Sequence, residues 1–335
     1  MKRVAIVILN WNGRNHLQTF LPSVIAHSLA LADIFVIDNG STDDSISLIQ
    51  SEFPEVQLIQ LKANHGFTGG YNRGMKMIQN EISVLLNSDV EVSENWIEPI
   101  LALFDQDPKI AAVQPKILSY LEKDSFEYAG AGGGFIDFLA YPFCRGRLFE
   151  NIEKDLGQYN DIREIFWATG ACMFVRTSLF KDMEGFDEDF FAHNEEIDLC
   201  WRMKNKNWKV VYCGQSQVYH LGGGTLHKSN PHKTFLNFRN NLTMLIKNDR
   251  SGFLFSKFVL RLILDGVAGL VFLLKGSSKD MVAVVKAHFS VYKALDTILE
   301  KRKKWGKERK QLKEIYLHSI VFESFIQGKK KIEIK

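Results

Sequence analysis

Over its first hundred residues the chain alternates short, almost unbroken apolar runs with stretches whose apolar residues recur every three or four positions. Residues 4–9, 34–37, 56–61 and 82–86 have the length and character of strands buried on both faces, and 16–30, 43–53 and 69–79 have helical spacing. This βαβ series predicts an α/β fold with a doubly wound, mostly parallel sheet and helices on both faces, in which ligands sit beyond the carboxyl ends of the strands. Each predicted strand ends in polar residues: Asn10-Trp11-Asn12-Gly13, Asp38-Asn39-Gly40-Ser41-Thr42-Asp43, Asn64-His65-Gly66-Phe67 and Asn87-Ser88-Asp89. Any one of these could be a turn or a helix cap. Four together point to one crevice.

Beyond residue 108 the pattern loosens into a glycine-rich run, 130–134, and an irregular stretch to 164. Regularity returns with a turn and strand in 167–175, an acidic and aromatic segment 185–198, a helix to about 206, a strand 209–213, and Val218-Tyr219-His220 running into three glycines. The length of 335 residues, with 46% hydrophobic and 24% charged, accommodates one large α/β domain, 1–245, and a helical, basic appendage, 246–335. Net charge is +3, but residues 301–335 carry 12 Lys and Arg against 4 Asp and Glu, leaving 30 against 35 in the rest. A uniformly basic nucleic-acid binder is thereby excluded, and an anionic membrane surface is the expected partner of the tail. The apolar run 253–274 is interrupted by Lys257, Arg261 and Asp265, so it is expected to be docked or interfacial and not to span a bilayer. Four scattered cysteines without a C-x-x-C pair, and no signal peptide, predict buried thiols, no zinc, and a cytoplasmic protein, peripheral at most on the inner face of the cell membrane.

No G-x-G-x-x-G follows the first strand, and neither a Walker phosphate loop nor a G-x-S-x-G elbow occurs. What remains suits a nucleoside diphosphate: Asp38 is placed to accept hydrogen bonds from a base or ribose, and Asp89 to bind a hard divalent cation. Glu195, Glu196 and Asp198 crowd one helix start, where the dipole offsets only part of their repulsion. Arg202, one turn on, is the expected partner of Asp198, leaving Glu195 or Glu196 for chemistry. Asp187, Glu188 and Asp189 are expected in a solvated loop with caps.

Several motifs in order resemble the inverting family 2 glycosyltransferases of the GT-A fold, most of all their rhamnosyltransferase-like members. They are Val-Ile-Asp-Asn-Gly-Ser-Thr-Asp at 36–43, Asn-His-Gly-Phe-Thr-Gly-Gly-Tyr-Asn-Arg-Gly at 64–74, Leu-Leu-Asn-Ser-Asp-Val at 85–90, Gly-Ala-Cys-Met-Phe at 170–174 and Glu-Glu-Ile-Asp-Leu-Cys-Trp-Arg at 195–202. The resemblance implies a nucleotide-sugar pocket lined by Asn10, Asp38, Gly66, Gly70, Asn72, Asn87 and Ser88, with Glu196 as general base, or Glu195 beside it. It implies a divalent cation, Mg²⁺ or Mn²⁺, on Asp89 and His220, a UDP- or dTDP-sugar donor, and a surface-glycan or lipid-linked acceptor. Asn87 stands where the family's metal motif has its first acid, leaving Asp89 as that motif's only carboxylate. No Q-x-x-R-W element of the processive members is present, so addition of a single sugar is expected. His193, His227, Arg239 and Asn241 are lesser candidates for acceptor or diphosphate contact. A catalytically inactive nucleotide-sugar-binding or membrane scaffold, and a sugar-nucleotide pyrophosphorylase, are the rival readings. Intact Glu196, Asp89 and His220 oppose the first, and the lack of a glycine-rich basic loop after strand one opposes the second.

Overall fold

The computed structural model of the chain describes residues 1–222, 230–306 and 312–334. Strands β1 (Val4–Asn10), β2 (Ala32–Asp38), β3 (Gln57–Gln60) and β4 (Ile82–Asn87) alternate with helices α1 (Arg14–Ser28), α2 (Ser45–Glu52) and α3 (Gly66–Met75), as the apolar pattern predicts. Then come β5 (Val90–Val92), α4 (Glu98–Gln106), β6 (Ile110–Ser119), and four short strands, β7 (Gly134–Asp137), β8 (Pro142–Cys144), β9 (Arg147–Leu148) and β10 (Asn151–Ile152). There follow β11 (Ile162–Ile165), β12 (Cys172–Arg176), α5 (Thr177–Asp182), α6 (Glu195–Asn205), β13 (Lys209–His220) and α7 (Pro231–Asn248). Helices α8 (Leu254–Leu274), α9 (Ser278–Lys293) and α10 (Leu295–Lys304), strand β14 (Ile315–Tyr316) and helix α11 (Ile320–Phe325) complete the described chain.

Among the described residues the main sheet has the order β11-β13-β6-β12-β4-β1-β2-β3, with β5 paired to β13. Strands β1 to β4, β6 and β13 run one way; β5, β11 and β12 run the other. Alternate residues of β1 feed two cores, Val4, Ile6 and Ile8 packing with α1, α2 and α4, and Ala5 and Val7 with α3. Burial on both faces is what makes these strands read as continuous apolar runs. Helix α3 lies close on the sheet because its facing residues are glycines: a Cβ on Gly74 would stand 2.0 Å from Ile37 Cδ1, and one on Gly70 2.7 Å from Leu9 Cδ1.

Two segments differ from expectation. The stretch 108–164 is not irregular. Polar Gln114 and Lys116 and the proline between them hide the strand β6, and Pro115, which has no N–H to donate, sits where partner β13 shifts register between Cys213 and Gln217. That bulge also joins 209–213 and 218–220 into one strand. A second sheet of order β10-β9-β8-β7-β14 is built from strands too short for periodicity to reveal.

The C-terminal region packs on the rest: β14 pairs in parallel with β7. The basic cluster expected to meet an anionic surface is largely engaged with the body. Lys301 Nζ lies 2.5 Å from Asp187 Oδ1 and 2.7 Å from Asp189 Oδ2, Arg302 donates to Ile246 O at 2.7 Å, and Lys304 pairs with Glu184 at 2.5 Å. Charge counted along a sequence carries no record of the acids that neutralise it in space. Lys307, Arg309 and Lys310 lie outside the described residues. Asp187 is therefore not a solvated loop residue; burial opposes its charge, but Lys247 and Lys301 hold its carboxyl well below the usual range. All four cysteines are buried free thiols.

Candidate functional site

The ends of β1, β2 and β4 meet at one edge of the sheet, as the strand-end polar residues require. Register places Asn10 beside Asp38 and Leu9 beside Asn87. Asn10 Nδ2 donates to Asp38 Oδ2 at 3.1 Å, and Ser41 N donates to Asp38 Oδ1 at 3.0 Å, so the buried carboxylate is oriented from two sides and keeps acceptor capacity on each oxygen. Asn39 organises the neighbouring loop: its Oδ1 accepts from His65 N at 3.0 Å and its Nδ2 donates to Asn64 Oδ1 and to Gly66 O at 3.0 and 2.9 Å. Gly66 has φ +71°, the left-handed region that favours glycine, and the Phe191 ring lies where its Cβ would be. Trp11, more than half exposed, stands at the mouth, a large ring that the sequence reading treated only as part of a turn.

Two expected pocket residues also make contacts within the fold. Both polar atoms of the Asn72 amide bond the backbone of one residue, Nδ2 donating to Phe186 O at 2.8 Å and Oδ1 accepting from Phe186 N at 2.9 Å, and Nδ2 also reaches Glu188 Oε1 at 3.4 Å. Gly70 is buried against Leu9 and Asn39. A motif position shows that a residue is needed, not which neighbour needs it.

Asp89 and His220 come together through β5. This strand pairs antiparallel with the end of β13 so that Val90 faces His220, and Leu221 N donates to Asp89 O at 3.0 Å. His220 Nε2 then lies 3.1 Å from Asp89 Oδ1 and 3.3 Å from the Asn87 amide, with Ser88 in the intervening turn. Behind the ring, Glu127 Oε2 stands 3.3 Å from Nδ1, an ion-pair contact that is off the hydrogen-bonding direction. Burial disfavours the imidazolium, but Asp89 and Glu127 outweigh it and push His220 up to about 10; burial likewise opposes the Asp89 charge, and the hydrogen bond and charge of His220 hold that carboxyl low. Glu127 escaped the sequence reading because it lies in the segment taken as irregular. Gly222, at φ +69°, leaves room for it, since a Cβ there would lie 2.6 Å from Glu127 Oε1.

The donor chemistry of this corner suits a divalent cation: the Asp89 carboxylate and an imidazole nitrogen of His220 converge beside the Asn87 amide, with the Glu127 carboxylate in ion-pair contact behind the ring. No group of three or more His, Cys, Asp or Glu suited to a metal occurs among the described residues, so Asp89 and His220 could supply only part of a coordination shell.

Glu195 and Glu196 open α6 after a tight corner in which Phe191, His193 and Asn194 all have positive φ, at 62°, 70° and 68°. Such backbone persists only where its surroundings hold it. Here α7 does so: Asn240 Nδ2 donates to Phe190 O, Ala192 O and His193 O at 3.0, 2.8 and 2.7 Å, and Arg239 Nη2 to Asp189 O and Phe190 O at 2.9 Å each. Arg239 is thus a loop clamp. Asn241 donates to Ala140 O at 2.7 Å and contacts Arg261, so it too is spent within the fold. Burial pushes His193 down to about 4, and His227 lies outside the described residues. Beneath, Asp198 accepts from Arg202 Nε at 2.8 Å, Lys247 Nζ at 2.9 Å and Asn248 Nδ2 at 2.7 Å, the expected i,i+4 pair enlarged into a buried network.

The two glutamates are different. Each has an Oε2 that is buried without a hydrogen-bond partner. Burial raises Glu196 to about 7, and burial together with the Glu196 charge raises the more enclosed Glu195 well above the carboxyl range. The buried Tyr71 phenol donates to Leu86 O at 3.1 Å, and burial raises its proton affinity, with smaller contributions from Cys172, Asp89 and Glu195.

The family model described as glycosyl transferase family 2 matches residues 5–183. The chain is 25% identical over 233 residues to the N-acetylglucosaminyl-diphospho-decaprenol L-rhamnosyltransferase of Mycobacterium tuberculosis, an alignment covering 64% of this chain and 75% of that one. It is also 25% identical over 223 residues to the O-antigen biosynthesis protein RfbC of Myxococcus xanthus, covering 65% and 17%. Among solved structures, TarS of S. aureus in complex with UDP-GlcNAc superposes with a TM-score of 0.56 at 14% identity, over 98% of this chain and 92% of that one. The mannosyltransferase PcManGT of Pyrobaculum calidifontis with GDP-Man and Mn²⁺ gives 0.54 at 12% identity, over 90% and 85%.

Proposed function

The chain belongs to glycosyltransferase family 2, and we propose that it transfers a single sugar, with inversion, from a nucleotide-sugar donor to a glycan or lipid-linked acceptor. The observation that carries this reading is the carboxyl pair opening α6, each with a buried oxygen that lacks a hydrogen-bond partner and a raised proton affinity. Glu196, with a value near 7, is poised to take a proton at working pH, whereas burial and the neighbouring charge hold Glu195 well above the carboxyl range. An acceptor hydroxyl attacks the anomeric carbon in line. The new C–O bond forms as the bond to the diphosphate breaks, the proton goes to Glu196, and the electron pair leaves with the phosphate oxygen. One displacement inverts the centre.

Asp38 holds the nucleoside through the acceptor positions left by Asn10 and Ser41, with Asn10 and Gly66 bounding that end of the crevice. Asp89, His220 and Asn87 are the residues that would hold Mg²⁺ or Mn²⁺, with Ser88 beside them. When bound, that cation neutralises charge on the departing diphosphate. Glu127 places a second carboxylate against Nδ1 of His220. The M. tuberculosis relative's name carries a lipid-linked diphosphate acceptor, which supports the same class here.

The test is a thermal-shift screen of UDP- and dTDP-sugars with Mg²⁺ or Mn²⁺, followed by NMR of the product's anomeric configuration. A metal-dependent rise with one donor and an inverted product are expected. Retention of configuration, or stabilisation by no sugar nucleotide, refutes the proposal.

A further inference from the structure

Helix α8 is inverted relative to a normal surface helix. Its buried stripe, at i,i+4 spacing, consists of Lys257, Arg261, Asp265 and Gly269. Lys257 Nζ meets Asp249 Oδ1 at 3.2 Å; Arg261 donates to Leu139 O at 3.0 Å and lies 4.0 Å from the centre of the Tyr141 ring; Asp265 accepts from Tyr141 Oη at 2.9 Å and stands 3.1 Å from His288 Nε2. Satisfied charges thus tie the helix to the body. The stripe facing water is apolar: Phe255, Val259, Ile263, Val267, Leu270 and Leu274, with Phe255 at 80% and Leu274 at 86% exposure. The next helix, α9, adds exposed Val282, Val285, Phe289 and Tyr292. An apolar face along a helix roughly 30 Å long marks a surface meant to be covered.

Charge identifies the cover. The exposed charged residues of 253–294 are Lys275, Lys279, Lys286 and Lys293, three of them on α9 at seven-residue intervals. Both acids of this region are engaged, Asp265 as above and Asp280 by Thr234 Oγ1 at 2.6 Å and by Ser277. A second copy seated on the face would add four more lysines to these four. An anionic lipid surface complements both the apolar stripe and the lysines, the arrangement of an interfacial helix. No helix among the described residues is long and apolar enough to cross a membrane.

We propose that the α8–α9 face, and not the basic run 301–304, seats the protein on an anionic bilayer, its apolar side chains at the acyl boundary and its lysines among the headgroups. The full chain is floated with phosphatidylcholine vesicles and with vesicles containing phosphatidylglycerol. Recovery with the anionic vesicles is expected to be greater and to fall with salt. The variant Lys275→Gln/Lys293→Gln should partition on the order of thirtyfold more weakly, since each lysine near the surface contributes about fivefold. The triple variant Ile263→Ser/Val267→Ser/Leu270→Ser should lose binding with its thermal transition unchanged. Should that variant not fold, Ile263→Trp gives a second measurement: its emission should shift to the blue on adding anionic vesicles, with none of that shift in the wild type. No flotation, flotation untouched by these substitutions, an absent tryptophan shift, or a stable dimer in light scattering that the serine variant disperses overturns the proposal.

Discussion

Replacing Glu196 by Gln should move activity and stability in opposite directions. The substitution keeps shape and removes both basicity and charge. With the carboxyl proton held to about 7 in the fold, against the ordinary 4.5, the unfolded chain releases its proton first as pH rises. Folded-state stability therefore falls between these two values and stays lowered above them, by about 3 kcal/mol as a ceiling, since the side chain is partly exposed. The Gln variant lacks this loss. At pH 8 its thermal transition should lie up to about 4 °C above that of the wild type, from roughly 2 cal/mol/K of unfolding entropy per residue over a chain of this length. At pH 4 the two should nearly coincide. Transfer should meanwhile fall by two or more orders of magnitude with donor affinity little changed, and wild-type kcat/KM should rise as pH passes through about 7. Differential scanning fluorimetry at both pH values, with a coupled assay of nucleotide release, reads all three. A transition that drops along with activity would show Glu196 to be structural, and loss of transfer confined to Glu195→Gln would move the base by one residue.

Chelator should abolish transfer, and Glu127→Gln should raise the metal concentration needed for half-maximal rate by about 10- to 100-fold, because it removes the carboxylate charge behind the His220 ring; full activity in excess chelator refutes this. Lys247→Met should destabilise by about 3–5 kcal/mol in urea unfolding, since it leaves Asp198 and Asp187 without their shared cation, and a loss under 1 kcal/mol would mean the network is dispensable. Gly74→Ala should cost about 1–3 kcal/mol, its methyl meeting Ile37, whereas Gly266→Ala, with open space around the Cβ, should be neutral or stabilising.

The first four strands and the helices between them were legible in the chain because burial on both faces and helical amphipathicity are local periodic signals, and Val4, Ile6 and Ile8 against Ala5 and Val7 is such a signal. The polar residues ending those strands and the acidic start of α6 were equally plain, as was the one-turn pair of Asp198 and Arg202. Only the tertiary structure decided which of these groups keep their valences free. Asn72 looks like a ligand residue until Phe186 occupies its amide, and Lys301 looks like a membrane contact until Asp187 and Asp189 neutralise it. Glu127 becomes relevant only when strands β5 and β6 bring Asp89 and the segment beyond Ser119 to the same histidine. The physical reason is one of range. Periodicity records whether a side chain faces the interior, whereas hydrogen bonds and ion pairs between residues a hundred positions apart depend on chain crossings that no local pattern encodes. Helix α8 marks the limit: spacing places its charges on one stripe, and only the packing of α7, α9 and the Tyr141 loop reveals that this stripe is the buried one.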